Sequence, residues 1–281
     1  MSAFFGPGGN CDEFRLAGLK STIDAPRFVR EHGLTAYEYE AGQGIGASAA
    51  TLLAIGAAAK REGIRLSLHA PYFISLSGVV AEKRLNSIKD IKDSLDAAHL
   101  LGAKTIVVHA GSAAKISRSE AMTLAADTLL KTLDAVDTYG IQIGIETMGK
   151  VNQLGTLDEV ISLCSLDSSL VPVVDFGHLN ARECGGVFSS AEDYYNVFYK
   201  IGDKLGDAVA KNLHCHFSMI EWTGAGEKRH LTFDDEIYGP RYEPLCQTIA
   251  DNGFCPTLIC ESAGTQTRDA KRMMAAYESY L

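Results

Sequence analysis

Short apolar runs alternate with longer segments of helical period along the chain. The runs are rich in Val, Ile and Leu and mostly lack regular alternation with polar residues. This composition is typical of strands in a parallel sheet that is covered by helices on its faces. The pattern predicts eight strands, at residues 3–5, 35–40, 64–70, 104–110, 141–147, 170–176, 212–218 and 256–262.

The segments between these runs predict eight helices. In the longest pattern, apolar residues recur at intervals of three and four, at Leu85, Ile88, Ile91, Leu95, Ala98 and Leu101. The predicted helices lie near residues 24–32, 46–62, 81–101, 117–139, 156–164, 190–206, 240–252 and 267–280.

Eight strand–helix units in 281 residues predict an α/β fold, a single (β/α)8 TIM barrel that spans residues 1–281 as one domain. An open doubly wound sheet is the alternative. Such a sheet should carry a G-x-G-x-x-G phosphate turn after an early strand, and "GPGGN" at residues 6–10 does not fit that pattern. We therefore expect the closed barrel.

Composition and charge limit the classes of partner and compartment. The net charge of −9 argues against a generally basic protein that coats nucleic acid, although it leaves room for a local basic cleft. The seven cysteines show no C-x-x-C spacing, which predicts buried thiols in a reducing compartment. No apolar stretch approaches the ~20 residues of a membrane span. We expect a cytoplasmic protein without membrane contact, and a monomer because a barrel closes its own sheet edges.

Histidines and carboxylates stand where six of the predicted strands end. In a (β/α)8 barrel these ends converge on one mouth. One such residue is more often structural, but six together would be costly to bury without cations, and they suit zinc, manganese or iron. Two further histidines follow in loops, and His214 shares a strand face with one ligand candidate and could support it. The candidate ligands are His69, His109, Glu146, Asp175, His178, His216, His230 and Glu261.

The order of these motifs resembles that of the endonuclease IV family, the zinc-dependent abasic-site endonucleases within the wider group of xylose-isomerase-like barrels. The resemblance covers nearly the whole chain and includes "IETMGKVNQLG" at 145–155 and "DFGH" at 175–178. It implies that one metal is bound by His69, His109 and Glu146. It implies a second metal bound by Glu146, Asp175, His216 and Glu261, and it assigns His178 and His230 to a third.

The resemblance also implies an activity. It predicts a DNA-repair hydrolase with two or three zinc ions per chain, or manganese in their place, that cleaves the DNA backbone 5′ to abasic sites by a metal-bound hydroxide. Glu146 and Glu261 would be its catalytic carboxylates, and Tyr72 and Phe73 would contact DNA near the lesion. The predicted phosphate contacts are Lys228 and Arg229, with Lys150 and Arg182 as further candidates.

Two positions depart from the family pattern. The family's Asp-x-His is Lys228-Arg229-His230 here. Either Glu227 reaches the third metal instead, or that metal is lost and Lys228 supplies positive charge, or Lys228 is simply solvated. The loop after the second strand, "YEYEAGQGIG" at 37–46, has no arginine where the family commonly places a DNA-contacting basic residue.

The main alternative is a metal-dependent sugar isomerase or epimerase on the same barrel, with a small sugar as its substrate. There a metal polarises a carbonyl or hydroxyl while carboxylates move a proton. Such a site usually needs one metal and four ligands, so the eight candidates in endonuclease order favour phosphodiester chemistry. A barrel that only binds metal would not explain why the ligands gather where a substrate enters.

Overall fold

The computed structural model describes residues 2–281, and its centre is a barrel of eight parallel strands. The ring closes between the first two strands, where the Gly9 N–H donates a hydrogen bond to the Glu38 carbonyl. The predicted (β/α)8 barrel is confirmed. Its strands are β1 (Phe4–Pro7), β2 (Ala36–Glu40), β3 (Arg65–His69), β4 (Thr105–His109), β5 (Gln142–Glu146), β6 (Leu170–Asp175) and β7 (His214–Phe217), and, after the hairpin β8 (Ile220–Thr223) and β9 (Gly226–His230), β10 (Thr257–Cys260).

The eight predicted helices are all present, with ends that differ by a few residues. The sequence did not predict the short helices α1, α7 and α9 or the β8–β9 hairpin, because such short elements carry little periodicity. The helices are α1 (Asp12–Leu16), α2 (Ala25–Glu31), α3 (Ala49–Glu62), α4 (Ala81–Leu101), α5 (Arg118–Ala135), α6 (Leu157–Cys164), α7 (Phe176–Arg182), α8 (Ala191–Leu205), α9 (Asp207–Lys211), α10 (Glu243–Asn252) and α11 (Gln266–Glu278).

Helix α4 shows where the apolar pattern was right and where it failed. Ile91, Leu95 and Leu101 are buried against the barrel, as predicted. Leu85, which belongs to the same apolar pattern, is 63% exposed. Periodicity along one helix does not record which of its turns a neighbouring element covers.

The interior of the barrel is unusually polar. Bulky branched side chains normally fill this space in layers. Here alternation along the strands turns Glu38, Ser67 and His214 inward, where the Ser67 hydroxyl donates to Glu38 at 2.7 Å. Gly6 lets two strands approach closely, since a Cβ there would lie 1.7 Å from the Ala36 carbonyl oxygen. Polar side chains therefore run through the barrel beneath the mouth.

The structure also bears on the predictions about cysteines, membrane spans and domains. Six of the seven cysteines are buried and Cys184 is half-buried, which agrees with their apolar sequence surroundings. Among residues 2–281, none of the helices has the length and apolar character to cross a membrane. The single domain over residues 1–281 stays a prediction.

Candidate metal centre

The carboxyl ends of the barrel strands bring the candidate ligands to one pocket of about 460 Å³. Strand register does this directly, because His109 pairs with Glu146 across β4 and β5, and Asp175 pairs with His216 across β6 and β7. The pocket is lined by Gly8, Glu40, His69, Tyr72, His109, Glu146, Met148, Lys150, Gln153, His178, Glu227, His230, Glu261 and Gln266. Asp175 and His216 lie fully buried beneath it.

Glu146 stands between two groups of ligand atoms. Its Oε2 lies 3.1 Å from His109 Nε2 and 3.5 Å from His69 Nε2. Its Oε1 lies 2.9 Å from Nδ1 of His216, which in turn is 3.4 Å from Glu261 Oε1. The two oxygens of one carboxylate therefore face separate sets of donors, which is the arrangement that a carboxylate bridging two cations requires.

A third group of ligand atoms forms on the other side of the pocket. His178 Nε2 lies 3.5 Å from Glu227 Oε2, and His230 Nε2 lies 4.0 Å from Glu227 Oε1. His178 was expected in a loop and lies in α7, while His230 was expected in a long loop and lies in the hairpin strand β9. Both expectations of loop structure are wrong, yet the two side chains still meet.

Three of the candidate histidines are held by hydrogen bonds at Nδ1. His69 Nδ1 is 2.8 Å from the Ala70 carbonyl, and His178 Nδ1 is 2.9 Å from the Thr147 carbonyl. His230 Nδ1 is 2.9 Å from the Ser218 hydroxyl. Such partners fix the ring orientation of metal-ligating histidines. In each case Nε2 is left to face the pocket.

Divalent cations fit the chemistry of this donor set. Within residues 2–281, two buried carboxylate oxygens at the centre make no hydrogen bond: Glu146 Oε2 and Asp175 Oδ2. Buried polar atoms nearly always find a partner, so orphans here need an explanation. Imidazole nitrogens and carboxylate oxygens are ligands for zinc, manganese and iron. The groups that could hold an ion include His69–His109–Glu146, Glu146–Asp175–His216–Glu261 and His178–Glu227–His230.

Burial and crowding shift the pKa values of these groups strongly. Burial raises the pKa of Glu261 to about 8. Burial alone would lower the pKa of His69, but the carboxylates of Glu146 and Glu40 outweigh it and raise that pKa to about 10. Burial also works against the charge on Glu146, yet neighbouring histidines hold its pKa well below the usual range. In the metal-free site, protons on these side chains therefore neutralise part of the negative charge of the carboxylates, which bound cations would neutralise instead.

Two carboxylates of β2 belong to the site and were missed from the sequence. Glu40 lines the pocket. Glu38 is fully buried, with Oε2 at 2.9 Å from His214 Nε2 and Oε1 at 2.9 Å from His216 Nε2. The signal was present in "YEYE" at 37–40, which sets two glutamates on one face of a strand.

The four predicted phosphate contacts do not share one location. Lys150 lines the pocket. Lys228 and Arg229 turn away from it and pair with Glu221 at 2.5 and 2.6 Å, with side chains 54% and 69% exposed. Their contact with DNA stays a prediction.

Arg182 does not meet the pocket at all. It is buried and donates hydrogen bonds to four main-chain carbonyls of the loop after β5, those of Met148, Lys150, Val151 and Gln153. The prediction that it touches phosphates is wrong, because its guanidinium is already used in holding this loop.

Two neighbouring aromatic side chains follow β3, and one of them, Tyr72, lines the pocket. Tyr72 and Phe73 are both about half exposed and follow β3. Their rings contact each other, with centroids 5.8 Å apart, and the Tyr72 hydroxyl accepts a hydrogen bond from Gln43. Their role in DNA binding stays a prediction.

The sequence is similar to a known family of barrel proteins and to several of its members. A family model described as xylose isomerase-like TIM barrel matches residues 26–277. An uncharacterised protein of Methanocaldococcus jannaschii is 31% identical over 77% of this chain and 78% of its own length. A probable endonuclease 4 of Acholeplasma laidlawii is 26% identical over 69% of this chain and 67% of its own length.

Solved structures of two kinds resemble the chain equally well. A D-tagatose 3-epimerase-like protein superposes with a TM-score of 0.72 at 18% identity, covering 99% of this chain and 96% of its own. Endonuclease IV from Thermus thermophilus superposes with a TM-score of 0.69 at 19% identity, covering 99% and 98%. Likeness at such identity shows the shared fold and does not choose between the two chemistries.

Proposed function

The chain belongs to the xylose isomerase-like TIM barrel family, and on this premise we propose that it is a metal-dependent phosphodiesterase that cleaves DNA 5′ to abasic sites. The observation that carries the proposal is the place of Glu146, whose two oxygens face separate sets of histidines. Such a donor set could hold two metal ions, which would suit in-line displacement at phosphorus because paired ions stabilise both the attacking and the leaving oxygen.

The proposed metals are two or three zinc ions, with manganese as the alternative. His69, His109 and Glu146 would hold the first, and the second would take Glu146 with three deeper ligands, Asp175, His216 and Glu261. For the third we propose His178, Glu227 and His230. Glu227 then takes the place of the family's aspartate, since its two oxygens lie between the two histidines.

The metals, when bound, would lower the pKa of a water molecule toward ~7 and neutralise charge on the phosphate. Glu146 and Glu261 would orient the neighbouring ligands and would help to hold the attacking water. Lys150 would pair with a phosphate oxygen at the pocket wall. Tyr72 and Phe73 would pack against the nucleotide, which leaves the stack most easily where its base is missing.

A second candidate, a metal-dependent sugar isomerase or epimerase, is favoured by one observation. Glu40 is a fourth glutamate in the pocket lining, beside Glu146, Glu227 and Glu261, and Lys150 is the one lysine or arginine among the lining residues described. A carboxylate in this position would accept a hydrogen bond from a sugar hydroxyl and would repel a phosphate.

The deciding experiment is nicking of a labelled duplex that carries one abasic-site analogue. Zinc- or manganese-loaded protein should cut 5′ to the analogue, while EDTA treatment and Glu261→Gln should each abolish cutting. Glu82→Gln, an exposed carboxylate of α4, is the matched control and should cut normally. If the fully metal-loaded protein leaves the DNA intact and epimerises a ketose, the second candidate function replaces the first.

A further inference from the structure

A cavity of about 260 Å³ opens at the end of the barrel opposite the candidate metal centre. Its wall contains residues with which barrel strands begin, whereas the metal centre lies where the strands end. Arg65 begins β3, Thr105 begins β4, Gln142 begins β5 and Thr257 begins β10. This face of the barrel has no part in the function proposed above.

The cavity is positively charged in a chain whose net charge is −9. Arg65 and Lys104 line it, and no carboxylate does so among the lining residues described. Glu38 contacts Ser67 and His214 in the cavity wall, but it is fully buried behind them. A negatively charged ligand would therefore meet two cations and no anion at the surface of the cavity.

Arg65 is a guanidinium without a counter-charge. It is half-buried and lies 4.5 Å from the ring centroid of Phe4, and among residues 2–281 its guanidinium makes no ion pair. Lys104 likewise has no ion pair within that range. Desolvating a guanidinium is costly unless an anion or an aromatic face compensates, and the Phe4 ring covers a single side of it. The in-plane N–H groups stay available to a ligand.

Buried hydroxyls complete the wall. Thr105 is 7% exposed and Thr257 is 6% exposed, and both line the cavity. Across the described part of the chain, neither hydroxyl has a protein hydrogen-bond partner. The amide side chains of Gln142 and Asn212 stand at the same cavity. The walls thus place charged and neutral donors around one partly open space.

We propose that this cavity is a binding site for a small phosphate-type oxyanion. Arg65 would hold two oxygens through its planar fork, Lys104 would add a point charge, and the threonine hydroxyls would donate to the remaining oxygens. The ligand is either inorganic phosphate or the phosphate end of a small monoester, and the site works independently of the metals at the other mouth.

The test is calorimetric titration of the metal-loaded protein with inorganic phosphate at constant ionic strength. Because phosphate can also bind metals, the titration is repeated after EDTA treatment, and binding at this cavity should persist. Arg65→Met with Lys104→Met should weaken that binding by roughly tenfold or more. Lys20→Met with Arg30→Met removes the same charge from exposed positions outside the cavity and should leave the affinity unchanged.

A second variant, without a change in charge, keeps the proposal testable if the double variant fails to fold. Thr105→Val keeps the side-chain shape and should weaken phosphate binding severalfold. Ribose 5-phosphate, titrated in parallel, identifies a monoester as the ligand if it binds more tightly than inorganic phosphate. Unchanged affinity in the double variant and in Thr105→Val, or binding that vanishes with the metals, would overturn the proposal.

Discussion

Replacing Glu38 by glutamine tests whether a side chain outside the ligand set controls the metal centre. Glu38 is fully buried and reaches no part of the pocket surface. It stands behind His216, with its Oε1 at 2.9 Å from His216 Nε2, while Nδ1 of the same ring faces Glu146. A carboxylate at the far nitrogen of a ligating imidazole orients the ring and raises its basicity. We therefore expect Glu38→Gln to weaken metal binding.

The size of the effect follows from the contacts. Glu38 Oε2 already accepts from Ser67 at 2.7 Å and lies 2.9 Å from His214 Nε2. Glutamine keeps one acceptor oxygen and places an NH₂ group against a histidine, so about one charge-assisted hydrogen bond is lost, worth about 1.5–3 kcal/mol. At about 1.4 kcal/mol per tenfold, this predicts a loss of roughly 10–100-fold in zinc affinity.

Zinc affinity is measured by competition with a chelator of known affinity, for the wild type and for Glu38→Gln. Denaturation in EDTA runs beside it and separates a change in metal binding from a change in folding. Glu82→Gln is the matched control, because this exposed glutamate begins α4 away from the pocket. Wild-type zinc affinity in a folded Glu38→Gln protein would refute the assignment of Glu38 as the residue that positions His216.

Three further predictions concern the loop, the third metal and pH. Arg182→Met should lower the free energy of unfolding by about 3 kcal/mol in urea denaturation, because four carbonyls lose a charged donor, whereas Arg229→Met at the surface should cost under about 1 kcal/mol. Equal effects of the two substitutions on the free energy of unfolding would contradict the role of Arg182 in holding the loop after β5. Glu227→Gln should lower the metal content by one ion per chain in elemental analysis, and full retention would exclude it as a ligand. Metal affinity should rise from pH 7 to about 9, because carboxylates outweigh burial and raise the pKa of His69 to about 10 and of His178 to about 9 in the metal-free protein, so that binding must displace protons. A flat profile of chelator-measured affinity over that range would contradict it.

The barrel and most candidate ligands could be predicted because each depends on a pattern within one stretch of chain. An apolar run that stops at a histidine or carboxylate marks both the strand and its functional end, as at His69 and Asp175. Glu38 escaped prediction because "YEYE" matches a strand with no sign of which partners it meets. Arg182 escaped because an arginine in the last turn of a short helix is compatible with contact to solvent, to phosphate or to buried main-chain carbonyls.

The hairpin shows why residue type alone did not settle the third site. The sequence offered Glu227 and Lys228 as alternatives for one role. In the structure a register shift between Glu221 and Trp222 leaves Lys228 without a partner in the strand register, and Glu227 contacts His178 while Lys228 contacts Glu221. That register depends on how the two hairpin strands pair, which no local pattern encodes.

The sequence by itself determined the alternation of strands and helices and the residue types at the strand ends, because both arise from interactions between near neighbours along the chain. Tertiary structure alone decided which atoms meet. Glu38 and His214 are 176 residues apart and touch because the barrel closes. The two oxygens of Glu146 face separate histidines because β3, β4 and β7 reach it from different sides of the same ring. Such distances depend on the closure and register of the whole sheet, which periodicity along one chain cannot express.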